Sequence, residues 1–283
     1  MKREDASDLA GSTAVGALVA FVLLALTVSG RAGDPLFGDA DLFDWSVTHR
    51  PSVAVAMARA VTYTGTGFIP YTLVLLAGLL VGRSARQRLF SVAAGLLCLA
   101  AGQAVRYGVM SLIARPRPAT AGWSTHASGW SFPSGHTTTS AITAGLLVLA
   151  VLARAPRGRG PLVVAIGCWG VLVGLTRVYL GVHWFSDVLG GWLFALCWLS
   201  LSTYVVTRLA PPVLHEIAAS RHRPGPTTEE RRHDSPTRTE DPLDPAPPPS
   251  RTGRRRGLPR RRDRAGTGDV AASSAPDRRR RPS

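Results

Sequence analysis

Six long apolar runs dominate the first 206 residues, at about 13–29, 67–82, 89–114, 137–153, 161–180 and 184–206, and none carries more than one charged side chain. Runs of roughly 17–25 apolar residues are what a helix needs to cross a hydrocarbon layer of about 30 Å. Inside lipid, every backbone N–H and C=O must find its partner within the protein, and for isolated runs of this kind that means helix. The expected fold is therefore all-α: a polytopic membrane bundle of about six transmembrane helices. A cleaved signal peptide is the competing reading of 13–29, but Glu4, Asp5 and Asp8 spoil the basic start such a peptide needs.

Composition divides the rest. Residues 1–12 are polar, 13–206 form the expected transmembrane domain, and 207–283 turn to Arg, Pro, Ser and acids. That last segment holds 18 Arg and no Lys against 10 Asp plus Glu, so the +15 net charge of the chain is not a property of a folded surface. With few aliphatic residues it cannot offset chain entropy by burial, and disorder is expected. Its runs Arg254–Arg256 and Arg278–Arg281 suit loose attraction to anionic lipid headgroups; a nucleic-acid partner is not expected. Cys98, Cys168 and Cys197 sit in apolar runs and are odd in number, so buried thiols are expected rather than a disulfide framework or a metal site.

The connections orient the bundle. Arg83, Arg86 and Arg88 fall between the second and third runs, and Arg154, Arg157 and Arg159 between the fourth and fifth. Short basic loops stay in the cytoplasm, which places both termini inside a cell membrane. The opposite, outer face receives a connecting loop at 30–50 with Asp34, Asp39, Asp41 and Asp44. Residues 51–64, around Arg59, are expected to form a helix at the interface or packed at a tilt.

Three polar clusters reach that outer face: Arg115-Pro116-Arg117-Pro118, Pro133-Ser134-Gly135-His136, and Thr176-Arg177 followed by His183 and Asp187. Ionisable groups beside a bilayer are costly and ask for a functional reason. Asp187 is the only carboxylate between Asp44 and Glu216. Four residues after His183, it can accept a hydrogen bond from one ring nitrogen, fixing the tautomer and leaving the other nitrogen free to attack. Arg177 adds a planar, permanently charged fork suited to phosphate. Ser134 and Gly135 stand at a helix start, where unpaired N–H groups favour phosphate oxygens; simple helix capping explains the same residues equally well. The two prolines end the third helix and hold Arg115 and Arg117 outside the bilayer, although interfacial arginines at a helix stop are the plainer account of that cluster. His126, Trp123 and Trp130, between the first two clusters, either gate a headgroup or anchor at the interface, and anchoring is the simpler expectation.

Together these residues resemble the PAP2 superfamily, the type 2 phosphatidic acid phosphatases that share a core with vanadium haloperoxidases. The family pattern is Lys-x6-Arg-Pro, Pro-Ser-Gly-His and Ser-Arg-x5-His-x3-Asp. Here it is matched by Arg117-Pro118, Pro133-Ser134-Gly135-His136 and Thr176-Arg177-x5-His183-x3-Asp187, over about residues 50–206. The resemblance implies a membrane lipid phosphatase acting through a phosphohistidine on a polyprenyl diphosphate or a phosphatidic-acid-type lipid, without a metal or other cofactor. It implies His183 as nucleophile, Asp187 as its orienting partner and His136 as the acid for the leaving group. Arg117, Ser134, Gly135 and Arg177 would hold the phosphoryl oxygens. Two departures stand out. Thr176 replaces Ser and keeps a hydroxyl, whereas Met110 occupies the lysine position, and Lys2 is the only lysine in the chain. Arg106, one turn earlier, and Arg115 are the candidate substitutes. The alternatives are a phospholipid-binding protein that has lost turnover and, more remotely, a vanadium haloperoxidase, a branch that is typically soluble.

Overall fold

The computed structural model describes residues 3–36, 38–154 and 158–209. Of the expected disordered tail, 207–283, the first three residues close the last helix and the rest lies outside the described residues, as do Lys2 and Arg157. Eight α-helices follow in order: α1 Arg3–Gly30, α2 Asp39–Thr48, α3 Ser52–Thr64, α4 Phe68–Val81, α5 Ala85–Ile113, α6 Gly135–Arg154, α7 Gly160–Tyr179 and α8 Phe185–Leu209. No strand occurs among the described residues.

Five of these helices, α1, α5, α6, α7 and α8, are long and apolar enough to cross a membrane. The sixth expected span is less regular. Helix α4 has 14 residues, about 21 Å at 1.5 Å per residue, which falls short of the hydrocarbon thickness. It continues from α3 through a break with a bend of 51°, and the count reaches six only if that bent pair is one span. The 30–50 segment also departs from expectation, because it folds as α2 rather than as a plain loop.

The bundle is inside-out. Leu80, Leu97 and Leu112 are among many large apolar side chains left exposed on the outside, while Ser134, Thr137, Thr138, Ser140, Arg177, His183 and Asp187 are buried. That is the distribution expected when the surrounding solvent is lipid and polar groups must pair inside. Helix α6 is central, packing against α4, α5, α7 and α8, with α1 laid along α8 and α3 along α7. Small residues set the closest approaches. A Cβ on Gly174 would stand 3.0–3.1 Å from Trp192, Val188 and Thr137, and one on Gly191 would stand 2.9 Å from the Cβ of Thr137. Glycine there lets α7 and α8 close on the first turn of α6. Of the cysteines, Cys98 and Cys197 are half-buried, but Cys168 is exposed on α7, against the expectation of burial; a thiol is apolar enough to face lipid.

Helix ends gather at two levels. Arg154, closing α6, donates through Nε to the Leu80 carbonyl at the end of α4 (2.7 Å), near the basic segment that opens α5. At the other level α5 stops at Ala114, which turns left-handed (φ 50°) just before Pro116. There α7 ends at Tyr179 and the chain turns through Gly181 (φ 74°), where a Cβ would run into the Gly122 carbonyl oxygen. Gly181→Ala is therefore expected to cost about 1–2 kcal/mol from backbone strain alone, before the collision is counted. Thermal unfolding in detergent should show a lowered Tm, and an unchanged Tm would contradict this account of the turn.

Candidate active site

The turn at Gly181 delivers His183 to the bundle, and the start of α8 delivers Asp187. Nδ1 of His183 faces Oδ2 of Asp187 at 3.3 Å, and the same oxygen accepts the Trp184 backbone N–H at 2.9 Å. On the far side of the ring, Nη1 of Arg117 donates to His183 Nε2 at 2.9 Å. A guanidinium only donates, so Nε2 must be the acceptor and the proton sits on Nδ1, toward the carboxylate. This is the tautomer that keeps the lone pair of Nε2 on the cavity side, where Arg117 occupies it. Burial first, then the Arg117 and Arg177 guanidinium groups, hold the His183 imidazole well below its usual pKa, so it is neutral at physiological pH.

Arg117 is held by the loop that follows it. Its remaining hydrogen bonds go to the carbonyls of Ser128, Gly129, Trp130 and Val182, at 2.8–3.1 Å. The short Arg-Pro-Arg-Pro segment thus ties the 128–130 loop to the turn that carries His183.

Helix α6 begins at Gly135, directly after Ser134, and its first-turn N–H groups are those a helix leaves without internal acceptors. Gly135 and His136 border the same cavity as His183, Arg117 and Arg177. Arg177 lies in the last turn of α7, where Nη1 donates to Thr62 Oγ1 at 3.1 Å while its Nε is buried without a partner. The cavity has a volume of about 380 Å³, and among the described residues no carboxylate lines it.

Arg106 projects into this cavity from α5. A Cβ on Gly135 would stand 3.4 Å from its guanidinium carbon, so the charge rests against the start of α6. Among the described residues its guanidinium makes one hydrogen bond, to the Met110 sulfur (3.2 Å), and its Nε is buried without a partner. Arg106, one turn before Met110, therefore puts a cation in the cavity that Met110 cannot provide.

The other sequence candidates divide. Ser134 is buried and outside the cavity lining: its hydroxyl accepts from Thr137 Oγ1 (3.0 Å), and its N–H donates to the Asp187 carbonyl (3.1 Å). It ties α6 to α8 instead of facing the cavity. The Thr176 hydroxyl donates back to the Val173 carbonyl at 2.6 Å. Arg115 lies outside the cavity lining. It is buried on the far side of Asp187, where Nη1 donates to Oδ1 of Asp187 (2.6 Å) and Nη2 to Oδ2 of Asp39 (3.0 Å). Two carboxylates hold its fork away from the cavity. Conversely, His126 and Trp130 line the cavity, whereas Trp123 packs near Leu180 and Val182 and donates to the Pro118 carbonyl. Gln103, Tyr107 and Thr66 also line the cavity, and no motif marked them.

Comparison with known proteins gives this arrangement a family. The PAP2 superfamily model matches residues 91–211. Phosphatidylglycerophosphatase B of Bacillus subtilis is 38% identical over 74 residues, covering 25% of this chain and 36% of that protein. Undecaprenyl-diphosphatase BcrC of Bacillus subtilis is 33% identical over 137 residues, covering 47% of this chain and 66% of that one. The chain thus spans about a third of the first relative's length and about two thirds of the second's. Among solved structures, a transmembrane PAP2-type phosphatidylglycerolphosphate phosphatase from Bacillus subtilis superposes with a TM-score of 0.59 at 23% identity, covering 75% of this chain and 99% of that one. That likeness extends the shared helical fold over nearly the whole of the solved chain. With its motifs gathered at one end of the bundle and the family model covering the helices that carry them, this chain belongs to the PAP2 superfamily.

Proposed function

We propose that the protein is a membrane lipid phosphatase that removes phosphate from a phosphomonoester or diphosphate lipid through a phosphohistidine. One observation carries the reading. A neutral imidazole, backed by a carboxylate, offers Nε2 to the Arg117 guanidinium at a cavity bordered also by Arg106 and Arg177 and, among the described residues, by no acid. Such a pocket suits an anion that is to be attacked, since its fixed charges face the developing oxyanion and need no rearrangement. The relatives, a phosphatidylglycerophosphatase and an undecaprenyl-diphosphatase, agree with a lipid phosphate substrate.

In the proposed cycle the substrate phosphoryl takes the Arg117 fork, releasing His183 Nε2. That nitrogen bonds to phosphorus as the bond from phosphorus to the leaving oxygen breaks, and His136, protonated in the complex where the bound phosphate offsets the arginines, gives the leaving oxygen its proton. Asp187 stabilises the charge that develops on the imidazole. Water, giving a proton back to His136, then attacks phosphorus; the P–N bond breaks and phosphate leaves. Arg106, Arg177 and the first turn of α6 hold the phosphoryl oxygens throughout. In this cycle His183 supplies the nucleophile and the arginines the positive charge, so no metal is written into it. The basic loops at the opposite level from the cavity support an outward-facing site with both termini in the cytoplasm.

The purified protein in detergent with EDTA is expected to release phosphate from undecaprenyl diphosphate or phosphatidic acid; no release from a broad lipid panel would contradict the reading. Arg106→Ala is expected to lower kcat/KM by roughly 100-fold, the scale for losing one preorganised charge donor. Full activity in that variant would show that Arg106 does not replace the family lysine. Met110 at the lysine position favours a second reading, a phospholipid-binding protein without turnover. Tight lipid binding with no release, and release regained in Met110→Lys, would establish it.

A further inference from the structure

The charged residues behind Asp187, away from the cavity, have no part in the cycle as described. Asp39, at the start of α2, is buried, as are Arg115, Ser186 and Asp187. Its Oδ1 accepts the backbone N–H of Ser186 at 2.8 Å, in the first turn of α8. Its Oδ2 accepts from the Ser186 hydroxyl (2.6 Å), Arg115 Nη2 (3.0 Å) and the Leu36 N–H (2.9 Å). Arg115 Nη1 then donates to both Ser186 Oγ (2.7 Å) and Asp187 Oδ1 (2.6 Å). The chain of contacts runs Asp39, Arg115, Asp187, His183, with Ser186 bracing its first two links.

Charge counting gives this chain a purpose. Asp187 has two oxygens, one for His183 and one for Arg115, and a guanidinium at 2.6 Å cancels the carboxylate's charge almost where it stands. Arg115 and Asp187 alone would form a neutral pair beside an imidazole that must become cationic. A second carboxylate on the other fork of Arg115 returns one net negative charge to the cluster. In a buried setting that charge is weakly screened and reaches the ring. Arg115, fixed between two acids, also leaves Oδ1 of Asp187 no freedom to rotate away, which keeps Oδ2 on His183.

We infer that Asp39 is a positioning residue of the reaction, acting through Arg115 to hold Asp187 on His183 and to supply the negative charge that Arg115 would otherwise cancel. The inference rests on the phosphohistidine reading above. A purely structural alternative exists, because a carboxylate at the N-terminus of α8 also stabilises that helix. The two differ in coupling: a structural cap acts alike whatever stands at position 187, whereas a positioning residue acts only through Asp187.

The test is steady-state kinetics of phosphate release by the full chain in detergent, for wild type, Asp39→Asn, Asp187→Asn and the double variant, with Tm recorded for each. Asp39→Asn is expected to lower kcat by about 10- to 100-fold, the scale for a group one contact removed from the reacting residue, with KM nearly unchanged. In the Asp187→Asn background the same substitution should change kcat by less than about twofold, the non-additivity of residues acting as a unit. A wild-type kcat in Asp39→Asn, or an equal loss in both backgrounds, overturns the inference. Should Asp39→Asn fail to fold, Ser186→Ala loosens the same link: a smaller loss that vanishes in the Asp187→Asn background supports the inference, and wild-type kcat overturns it. Carbethoxylation of His183 by diethyl pyrocarbonate, followed by peptide mass spectrometry, reads the imidazole without turnover. Slower labelling in Asp39→Asn supports the inference and equal labelling overturns it. Absence of turnover in the wild type would therefore count against the phosphatase reading alone.

Discussion

His183→Ala is expected to abolish phosphate release, by a factor of about 10⁴ or more, while leaving the protein able to bind a lipid phosphate. The other cavity imidazoles, His126 and His136, have no carboxylate partner among the described residues to orient them as Asp187 orients His183, and the arginines are permanent cations. Binding survives because Arg106, Arg117 and Arg177 stay where they are, and Arg117 keeps its four backbone carbonyls even after the imidazole is removed. Turnover assays beside equilibrium binding of a fluorescent lipid phosphate separate the two effects. Substantial residual turnover would mean that water, not His183, attacks phosphorus.

Asp187→Asn is expected to act on both catalysis and stability. The carboxylate faces donors on every side: His183 Nδ1, the Trp184 N–H and Arg115 Nη1. An amide must turn its NH2 toward one of them. If the NH2 faces His183, the imidazole loses its tautomer; if it faces Arg115, a buried cation loses an anion. By comparison with other carboxylate–histidine pairs kcat should fall by roughly 10³- to 10⁴-fold. Stability should fall by about 3 kcal/mol, the low end for breaking a buried ion pair, because Asp39 still holds the other fork of Arg115. Kinetics and detergent unfolding on the same preparation give both quantities. A variant with wild-type kcat would remove Asp187 from the mechanism.

What could be seen in the sequence depended on range. The five long spans followed from apolar runs, and the His183–Asp187 pair from its short separation, although His183 stands in the turn before α8 and not on the helix that the spacing implied. The bend between α3 and α4 was not legible, because residues 51–82 contain small and apolar residues on both sides of the break and no charge marks it. Arg115 and Arg117 stand two apart in identical Arg-Pro settings, and only tertiary structure sends one to two carboxylates and the other to the cavity. Asp39 was one acid among four in a segment expected to be a loop. Its partner Ser186 is 147 residues away, so no periodicity could join them. Met110 shows the reverse case: the missing lysine was plain in the motif, and the turn of α5 that places Arg106 in the cavity supplies the local geometry for its replacement.

The central claim is a covalent bond between phosphorus and His183, and trapping it is the most direct test. Protein incubated briefly with a ³²P-labelled lipid phosphate in EDTA would be quenched in alkali, where phosphohistidine survives, and digested for peptide mass spectrometry. The account predicts label on the peptide containing His183, none in His183→Ala, and release of the label as phosphate when the reaction is left to run. Turnover without protein-bound label, or label on another residue, would contradict it.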